Sequence, residues 1–424
     1  MKLAILTQYY PPEVGAPQAR LSELASHFVR CGHHVTVLTA MPNYPTGRIH
    51  PGYGGWLRRE QLEGVEVIRT FIYPTKEAGF ARRLTNYFSF VGSSMAIGSA
   101  CMPSPDYLLV ESPPLFSGLS GTWLSWLNGS RLIFNVSDLW PESAVRLDLI
   151  KAGGIAHRLG SSMEAFFYKH AWLITGQSKS ILANITERFP EQRVFHLSNG
   201  VDTQKFGPAF GTWQARKKLA TNDGCIALYA GLHGLAQGLD QLLIAAGMLQ
   251  KDTGLCFTLI GDGPEKPKLL AQAESARLTN VRFLDSLPAH EIPALLAAAD
   301  LALVILKTHI PGAVPSKLYE AMASARPVIL VAEGEAAEIV RKHQVGIAVV
   351  PGDTNGLVRA LQTLRADPGL RHTMGMNGRR TVEMLFDRAK IVTGFREYLE
   401  ANVYLSDRAS GKSPEMIAVL RKNS

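Results

Sequence analysis

Two charged residues in one short segment, Lys317 and Glu320, have the types and the spacing of an anion site beside a hydroxyl-binding carboxylate. The surrounding sequence predicts a helix that begins at Lys317 and is capped by Ser316, so that free backbone N–H groups and the lysine ammonium would meet the same anion. Glu320 follows one turn later on the same helix face. A lysine for a phosphate and a glutamate for ribose hydroxyls would make a nucleotide site. An ordinary surface salt bridge between the two residues is the alternative interpretation.

Glycines follow three predicted strands, where a backbone N–H group could meet a phosphate or a sugar oxygen. Gly231 begins a segment with three glycines, and such a loop can wrap a diphosphate with its amides. The segment Gly261–Gly263 opens a helix in the same way, and Gly15 precedes the first predicted helix. Lys266 stands where the dinucleotide fingerprint needs its third glycine, which excludes that fingerprint. Plain tight turns and helix caps are the alternative.

Asp138 follows a predicted strand, Arg131–Asn135, and stands shortly before Pro141 and Glu142. A carboxylate at the end of a strand, inside a cleft, could orient a substrate hydroxyl or act as a base. The same residue type is a common helix cap ahead of a Pro-Glu pair. Both interpretations stay open at this stage.

Short apolar segments rich in Val, Ile and Leu alternate with longer amphipathic segments, which is the pattern of a parallel sheet covered by helices on both faces. The alternation stops near Asn199–Asp202 and then begins again. We therefore predict an α/β fold with two doubly wound, Rossmann-like domains that face each other across a cleft. The predicted divisions are residues 1–203, residues 204–387, a helix over 388–404 that crosses back to the first domain, and a tail over 405–424.

The composition limits the classes of protein to be considered. With 424 residues, 46% of them hydrophobic and 19% charged, the chain has enough apolar material for a large core and is not disordered. The net charge of +8 is divided evenly between the two halves, so nucleic acid is not an expected partner. The four cysteines lack the spacing of a zinc site and suit a reducing compartment. The sequence shows neither a signal-peptide pattern nor a spanning segment of roughly 20 apolar residues, so we expect a cytoplasmic protein.

Taken together, the ordered motifs of this chain resemble those of the family 4 retaining glycosyltransferases, which have the GT-B fold. The resemblance covers nearly the whole chain, and the order and spacing of the motifs are more specific than any one of them. The motifs that carry it are Tyr10-Pro11-Pro12 with Gly15, Gly32–Val37, Asn199–Asp202 with Phe206, Tyr229–Gly231 with Gln237-Gly238, Gly261–Pro264, and Pro315–Ala323 with Pro327–Ile329. The variants Asp138–Glu142 and Gln237–Asp240 are similar to those of bacterial fucosamine transferases of surface-polysaccharide assembly.

The resemblance implies transfer of a sugar from a nucleotide sugar, with retained anomeric configuration and without a bound metal or other cofactor. The donor would lie mainly on the second domain. Lys317 would stabilise the leaving diphosphate, and Asp138 would orient the reacting sugar or act as a base. The residues expected at the donor are Gly15, Gly231, Gln237, Gly261, Asp262, Gly263, Ser316, Leu318 and Glu320.

The chain departs from the family pattern at three positions. The first glutamate of the family's Glu-x7-Glu motif would fall at Gly312, while Glu320 matches the second. The arginine and lysine that grip the diphosphate in the family would fall at Leu232 and Gln237. Lys317 and the amides at the start of its helix are therefore the remaining groups for the leaving charge. Two alternatives stay open, a sugar-nucleotide epimerase of the same fold and a non-catalytic nucleotide-sugar-binding protein.

The segment Phe80–Val91 combines Arg82 and Arg83 with aromatic and aliphatic residues. It could lie on an anionic membrane and meet a lipid-linked glycan acceptor, which would make the protein peripheral on the inner face of the cell membrane. An ordinary helix packed on the first sheet is the alternative.

Overall fold

The computed structural model describes residues 1–44, 46–75, 80–146, 149–220, 224–252 and 254–409. The chain forms two α/β domains, each built on a largely parallel sheet with helices on both faces. The predicted pair of doubly wound, Rossmann-like domains is confirmed.

The first domain contains an eight-stranded sheet. Its strands are β1 (Lys2–Leu6), β2 (His34–Ala40), β3 (Leu57–Leu62), β4 (Val65–Thr70), β5 (Tyr107–Ser112), β6 (Arg131–Val136), β7 (Leu173–Gly176) and β8 (Val194–His196). The strand order is β3-β4-β2-β1-β5-β6-β7-β8, and only the β3–β4 pair is antiparallel. The order of the strands reverses between β1 and β5, which is where open sheets of this kind bind ligands.

Helices cover both faces of this sheet. They are α1 (Ala16–Arg30), α2 (Phe80–Cys101), α3 (Ser117–Asn128), α4 (Glu142–Arg146), α5 (Ile155–His170) and α6 (Lys179–Arg188). On one face α2, α3, α5 and α6 bury Phe90, Leu124, Phe167 and Ile181 against the strands. On the other face α1 buries Phe28. The strands are apolar on both sides because both sides are covered.

The second domain contains a six-stranded sheet whose strands are all parallel. They are β9 (Cys225–Ala230), β10 (Leu255–Ile260), β11 (Val281–Leu284), β12 (Leu301–Ile305), β13 (Val328–Val331) and β14 (Gly346–Val349). The helices are α7 (Trp213–Leu219), α8 (Asp240–Met248), α9 (Lys266–Ser275), α10 (Ile292–Ala298), α11 (Ser316–Ala323), α12 (Glu335–Lys342), α13 (Thr354–Ala366) and α14 (Pro368–Thr381).

The strand order of the second sheet brings the predicted donor residues to one edge. The order is β11-β10-β9-β12-β13-β14, so the switch point lies between β9 and β12. The loops after β9, β10 and β12 therefore meet at the carboxyl ends of adjacent strands. The first two of these loops contain Gly231 and Gly261, and the third leads into α11, which carries Lys317.

The last helix, α15 (Arg388–Ala409), returns to the first domain after a π-helical turn at Val382–Phe386. Phe395 and Leu399 are fully buried on the α1 face of the first sheet, and the Tyr107 hydroxyl donates to the Leu399 carbonyl oxygen over 2.9 Å. This helix therefore completes the core of the first domain with residues from the far end of the chain.

The chain passes between the domains twice, and the two crossings lie side by side. The Val201 N–H donates to the Phe386 carbonyl oxygen, and the Arg388 N–H donates to the Val201 carbonyl oxygen, each over 2.9 Å. The Arg388 guanidinium also donates to the carbonyl oxygens of Asn199 and Gly200. The two segments that link the domains are thus hydrogen-bonded to each other.

The structure differs from the sequence prediction in four elements. Strand β3 was not predicted, because its polar sequence lacks apolar alternation and it lies at the sheet edge. Helices α4 and α7 are too short to show a helical period. Helix α15 continues to Ala409, whereas a tail was predicted from residue 405, and residues 410–424 of that tail lie outside the described residues.

Candidate active site

The helix that carries Lys317 and Glu320, α11, begins at Ser316. Pro315 occupies the cap position with φ −60° and ψ 132°, outside the helical region, and no side chain caps the helix. The prediction of Ser316 as the cap of a helix that starts at Lys317 is therefore wrong by one residue, because the extended Pro315 lets the helix begin directly after it. The N–H groups of the first turn have no side-chain acceptor from a capping residue.

The Lys317 side chain lies against the backbone of Gly231. A Cβ atom at residue 231 would fall 2.0 Å from Lys317 Cε and 2.5 Å from Nζ, so this approach requires glycine. The Lys317 ammonium forms neither an ion pair nor a hydrogen bond with any described residue, and the salt bridge to Glu320 is not formed. An ammonium group without a carboxylate partner at a helix start is a place of positive potential.

The loops after β9 and β10 interlock beside Lys317. A Cβ atom at Gly261 would lie 1.9 Å from the Gly231 carbonyl oxygen, and one at Gly263 would lie 2.4 Å from the His233 carbonyl oxygen. The His233 N–H donates to the Asp262 carbonyl oxygen over 2.8 Å. The glycines thus serve a close packing of two backbones, which brings Gly231, Gly261, Asp262 and Gly263 into one cluster.

His233 is the fully buried centre of this cluster, a position that the sequence did not reveal. Neither ring nitrogen has a hydrogen-bond partner among the described residues. Burial, reinforced by the Lys266 charge, lowers the pKa of His233 to about 4, so the ring is neutral near pH 7. The ring packs near Tyr229 and Phe283. His233 therefore packs between the two loops as a neutral ring.

Lys266 anchors the second of these loops. Its ammonium donates to the Gly261 carbonyl oxygen over 2.9 Å and to Asp285 Oδ1 over 2.6 Å, while the rest of the side chain is buried. Lys266 stands where the dinucleotide fingerprint has its third glycine, and here it holds the loop by a hydrogen bond and an ion pair.

Gln237 lies in a short 3₁₀ turn, Leu235–Gln237, and its Oε1 atom is buried without a hydrogen-bond partner among the described residues. Lys307 runs along the same loop. Its N–H donates to the Ala236 carbonyl oxygen over 2.8 Å, and a Cβ atom at Gly238 would lie 2.7 Å from Lys307 Cα. Lys307 is an exposed cation at the end of β12 that sequence reasoning missed, since only the fold brings it beside this loop.

The remaining residues of α11 differ in what they can contact. Leu318 is completely buried in the core of the second domain, so its side chain does not face the site, in contrast to its predicted place at the donor. The side chains of Ser316 and Glu320 are half-buried. The Glu320 carboxylate has no hydrogen-bond or ion-pair partner among the described residues, so it can still accept from a ligand hydroxyl.

Gly312 lies in a contact between the domains, which accounts for the missing family glutamate. A Cβ atom at residue 312 would fall 2.4 Å from Ile181 Cγ1 of α6, so a larger side chain does not fit. Beside it, the Glu335 carboxylate accepts from the N–H groups of Lys179 (3.0 Å) and Ser180 (2.8 Å) and from the Ser180 hydroxyl (2.6 Å). An acid at a helix N-terminus is stabilised by the N–H groups there, and this one joins α12 to α6.

Asp138 lies at the carboxyl end of β6 on the first domain. Burial raises the pKa of Asp138 to about 6, against a hydrogen bond from Ser143 and one from the Leu139 N–H. These two contacts lie at the start of α4, as the helix-cap interpretation predicts. A carboxyl group with a pKa near 6 is also able to exchange a proton near neutral pH, so the contacts do not decide between the two interpretations.

Gly15 stands at the cap position of α1 with an extended backbone, φ 173°. Helix α1 follows the loop after β1, at the same edge of the first sheet as Asp138. Gly15 and Asp138 thus belong to the first domain, whereas the cluster around Lys317 belongs to the second.

A buried polar network that the sequence analysis missed lies at the strand ends of the first domain. Arg20 of α1 pairs with Glu111 of β5 over 2.5 Å and donates to Asn199 Oδ1 over 2.8 Å. Asn135 donates to Glu111 over 2.6 Å and accepts from Thr175 over 2.6 Å. Glu111, Asn135 and Thr175 are register partners on adjacent strands, and their shared position was the signal available in the sequence. The network fixes the start of the domain link.

Comparison with solved structures gives the class of protein that this fold defines. Sucrose-phosphate synthase from Thermosynechococcus elongatus is similar with a TM-score of 0.75 and 19% identity, covering 96% of this chain and 99% of that one. The Anabaena protein HepE, in complex with UDP and glucose, is similar with a TM-score of 0.70 and 17% identity, covering 95% and 100%. The fold is that of the GT-B glycosyltransferases.

Two family models match consecutive parts of the chain. The model described as "Glycosyl transferase 4-like domain" matches residues 15–200, and that described as "Glycosyl transferases group 1" matches residues 212–381. The two models together match most of the chain and support a glycosyltransferase of the family 4 type. Among curated relatives, the Escherichia coli K12 protein described as "Putative colanic acid biosynthesis glycosyl transferase WcaI" is 26% identical over 373 residues, which is 85% of this chain and 91% of that protein.

Proposed function

We propose that the protein transfers a sugar from a nucleotide sugar to a lipid-linked glycan in surface-polysaccharide biosynthesis, with retention of anomeric configuration and without a metal ion or other cofactor. The observation that carries the proposal is the Lys317 ammonium, which lies against Gly231 at the start of α11 without a carboxylate partner among the described residues. Such a place suits the diphosphate of a nucleotide sugar. The similar protein HepE was solved with UDP and glucose.

In this proposal the second domain holds the donor and takes up the charge of the leaving group. As the bond between sugar and diphosphate breaks, negative charge grows on the diphosphate oxygens, and Lys317 and the first N–H groups of α11 stabilise it. The backbone of Gly231 and of Gly261–Gly263 lines the same place, and Gln237 offers an amide. Glu320 accepts from the ribose hydroxyls.

The first domain presents the acceptor in this proposal. Asp138 orients the reacting sugar or accepts a proton from the acceptor hydroxyl, and Gly15 at the start of α1 offers its backbone N–H to the donor. We name no covalent nucleophile for the retention of configuration. The Escherichia coli relative named for colanic acid biosynthesis supports a glycan product. We expect a hexosyl- or N-acetylhexosaminyl-type transfer, and the sequence variants at residues 138–142 and 237–240 resemble those of bacterial fucosamine transferases.

A Lys317→Ala variant tests the proposal directly. We expect donor turnover to fall about 100-fold or more, since removing one preorganised group that stabilises developing charge has an effect of that order. Turnover is measured as nucleoside diphosphate release from a panel of nucleotide sugars, with a bacterial lipid extract as the source of acceptor. Lys268→Ala is the matched control, because Lys268 is an exposed lysine of the same domain, on α9.

Near-normal turnover in the Lys317→Ala variant would overturn the assignment of Lys317. The same assay separates the alternative functions. Conversion of the donor to an isomer without any acceptor would identify an epimerase, and donor binding without any product would identify a binding protein.

A further inference from the structure

We propose that the outer face of helices α2 and α3 docks on an anionic lipid surface. This face is defined by Phe88 and Met95 of α2 and by Trp123, Trp126 and Leu127 of α3. The inference deepens the proposed function, because a lipid-linked acceptor would reach the enzyme at such a surface. It extends the docking segment beyond residues 80–91 to a face that includes a second helix.

The two helices are almost without charge. Across the 22 residues of α2 and the 12 of α3, the charged side chains are Arg82 and Arg83, and neither helix contains an acidic residue. A helix on the surface of a soluble domain normally carries charged residues on the side away from the core. The outer face of this pair therefore lacks the composition of a surface that stays in water.

Large aromatic side chains are exposed on this face. Trp126 is 75% exposed, Trp123 is 41% exposed and their ring centroids lie 5.6 Å apart. Phe88 and Leu127 are exposed as well. Clustered exposed apolar side chains of this kind mark an interaction site, and indole rings favour the boundary between lipid and water.

Helices α2 and α3 pack closely against each other, so the exposed side chains project from a well-packed pair of helices. The Trp123 indole N–H donates to Ser99 Oγ of α2 over 3.0 Å. On the inner side, Ser94 Oγ donates to Ser120 Oγ over 2.9 Å, and a Cβ atom at Gly98 would fall 2.8 Å from Leu124 Cδ1. The exposed tryptophans are therefore presented from a rigid support.

The charge around the face favours an anionic surface. Helix α5, which packs beside α3 in the same layer, exposes Arg158 and Lys169. The acidic residue of α5, Glu164, is buried and paired with Arg188. The layer of α2, α3 and α5 thus presents cations and no exposed carboxylate among its described side chains, which is complementary to acidic headgroups.

The helices suit contact with a membrane surface. Within the described residues, no helix is long and apolar enough to cross a bilayer. Aromatic side chains at the headgroup level together with nearby cations give reversible, surface-level binding.

Flotation of the full chain with vesicles tests the inference. The vesicles contain equal parts of phosphatidylglycerol and phosphatidylcholine, and the variant is Trp123→Ser with Trp126→Ser. We expect the bound fraction to fall at least tenfold for the double variant, and wild type to bind vesicles of pure phosphatidylcholine weakly. Trp213→Ser is the matched control, since Trp213 is an exposed tryptophan of the second domain, and it should bind like wild type.

A second variant, Arg83→Glu with Arg158→Glu, tests the charge and should also lower binding to the anionic vesicles. Flotation of both double variants at the wild-type level would overturn the inference. A wild-type dimer that the tryptophan variant dissociates, measured by light scattering, would instead show that a second copy covers the face. Nucleoside diphosphate release should be unchanged in the tryptophan variant when the lipid extract is dispersed in a neutral detergent, where no vesicle surface is needed. Failure of the docking inference and failure of the proposed sugar transfer therefore give different results.

Discussion

At the residue scale, the described site depends on backbone contacts that only glycine permits. Lys317 reaches the carboxyl end of β9 because residue 231 has no side chain, and the loops after β9 and β10 pack together because residue 261 has none. The cation and the two loops form one cluster for this reason. Substituting either glycine would displace Lys317 or separate the loops without touching a charged group.

The pH dependence of stability offers a test of the Asp138 environment. Because burial raises the pKa of Asp138 to about 6, the folded protein keeps a proton on this carboxyl group between about pH 4 and pH 6. The unfolded chain has released that proton in the same range. The contribution of Asp138 to the free energy of unfolding is therefore present below about pH 4 and falls as the pH rises to about 6. An Asp138→Asn variant keeps an oxygen for Ser143 and cannot ionise, so its stability relative to wild type should rise over that window.

Urea unfolding between pH 4 and pH 7 measures this difference. Glu187→Gln, which replaces an exposed carboxylate of the same domain, should show no such trend. A stability difference between Asp138→Asn and wild type that does not change with pH would contradict the raised pKa.

Local sequence was sufficient to identify the segments that form the cluster around Lys317, but not the packing within them. The positions of Lys317 and Glu320 follow from helical spacing, and the close turns follow from glycine after a strand. The burial of His233 and the arrival of Lys307 beside Gly238 depend on loops from different strands. The inward direction of Leu318 is set by the core it packs against. These features depend on tertiary contacts, so no local sequence pattern predicts them.

At the element scale, helix α12 is tied to helix α6 by one carboxylate. Glu335 is the first residue of α12, and it accepts from two N–H groups and one hydroxyl at the start of α6. The contact joins the two domains through elements other than the paired crossings.

A Glu335→Ala variant should release this contact. We expect hydrogen exchange at the N–H groups of Lys179 and Ser180 to rise about tenfold or more, because hydrogen bonds to a charged group are worth about 1.5–3 kcal/mol. Exchange is followed at residue resolution by nuclear magnetic resonance or by mass spectrometry of short peptides.

Glu338→Ala is the matched control, because Glu338 is an exposed glutamate on the same helix. Unchanged exchange at residues 179 and 180 in the Glu335→Ala variant would show that the α6–α12 contact is not maintained in solution.

The elements themselves were mostly predictable, and the exceptions have a common cause. Periodicity located the strands that are buried on both sides, whereas β3 is a polar edge strand whose partner is β4 alone. The contact between Glu335 and Lys179 joins residues 156 positions apart, and the fit of Gly312 against Ile181 spans a similar separation. Pairings of that kind require the fold before they can be recognised.

At the scale of the whole molecule, helix α15, which follows the second domain in the chain, supplies part of the core of the first domain. Phe395 is completely buried between Phe28 and Phe195. A Phe395→Ala variant should lower the free energy of unfolding by about 3–5 kcal/mol, as expected for a large buried aromatic side chain. Urea unfolding measures the change.

Glu397→Ala is the matched control. Its side chain is exposed on the same helix, and the substitution should stay within about 0.5 kcal/mol of wild type. A Phe395→Ala variant as stable as wild type would mean that α15 does not contribute to the first core in solution.

The position of α15 also sets the order in which the protein is completed on the ribosome. The first sheet is fully synthesised once β8 has emerged, yet the apolar side chains under α15 stay uncovered until about 200 more residues have been added. The whole second domain is made during that interval. Until α15 has emerged, the nascent first domain therefore exposes an apolar patch that chaperones can bind, and it reaches its final stability only afterwards.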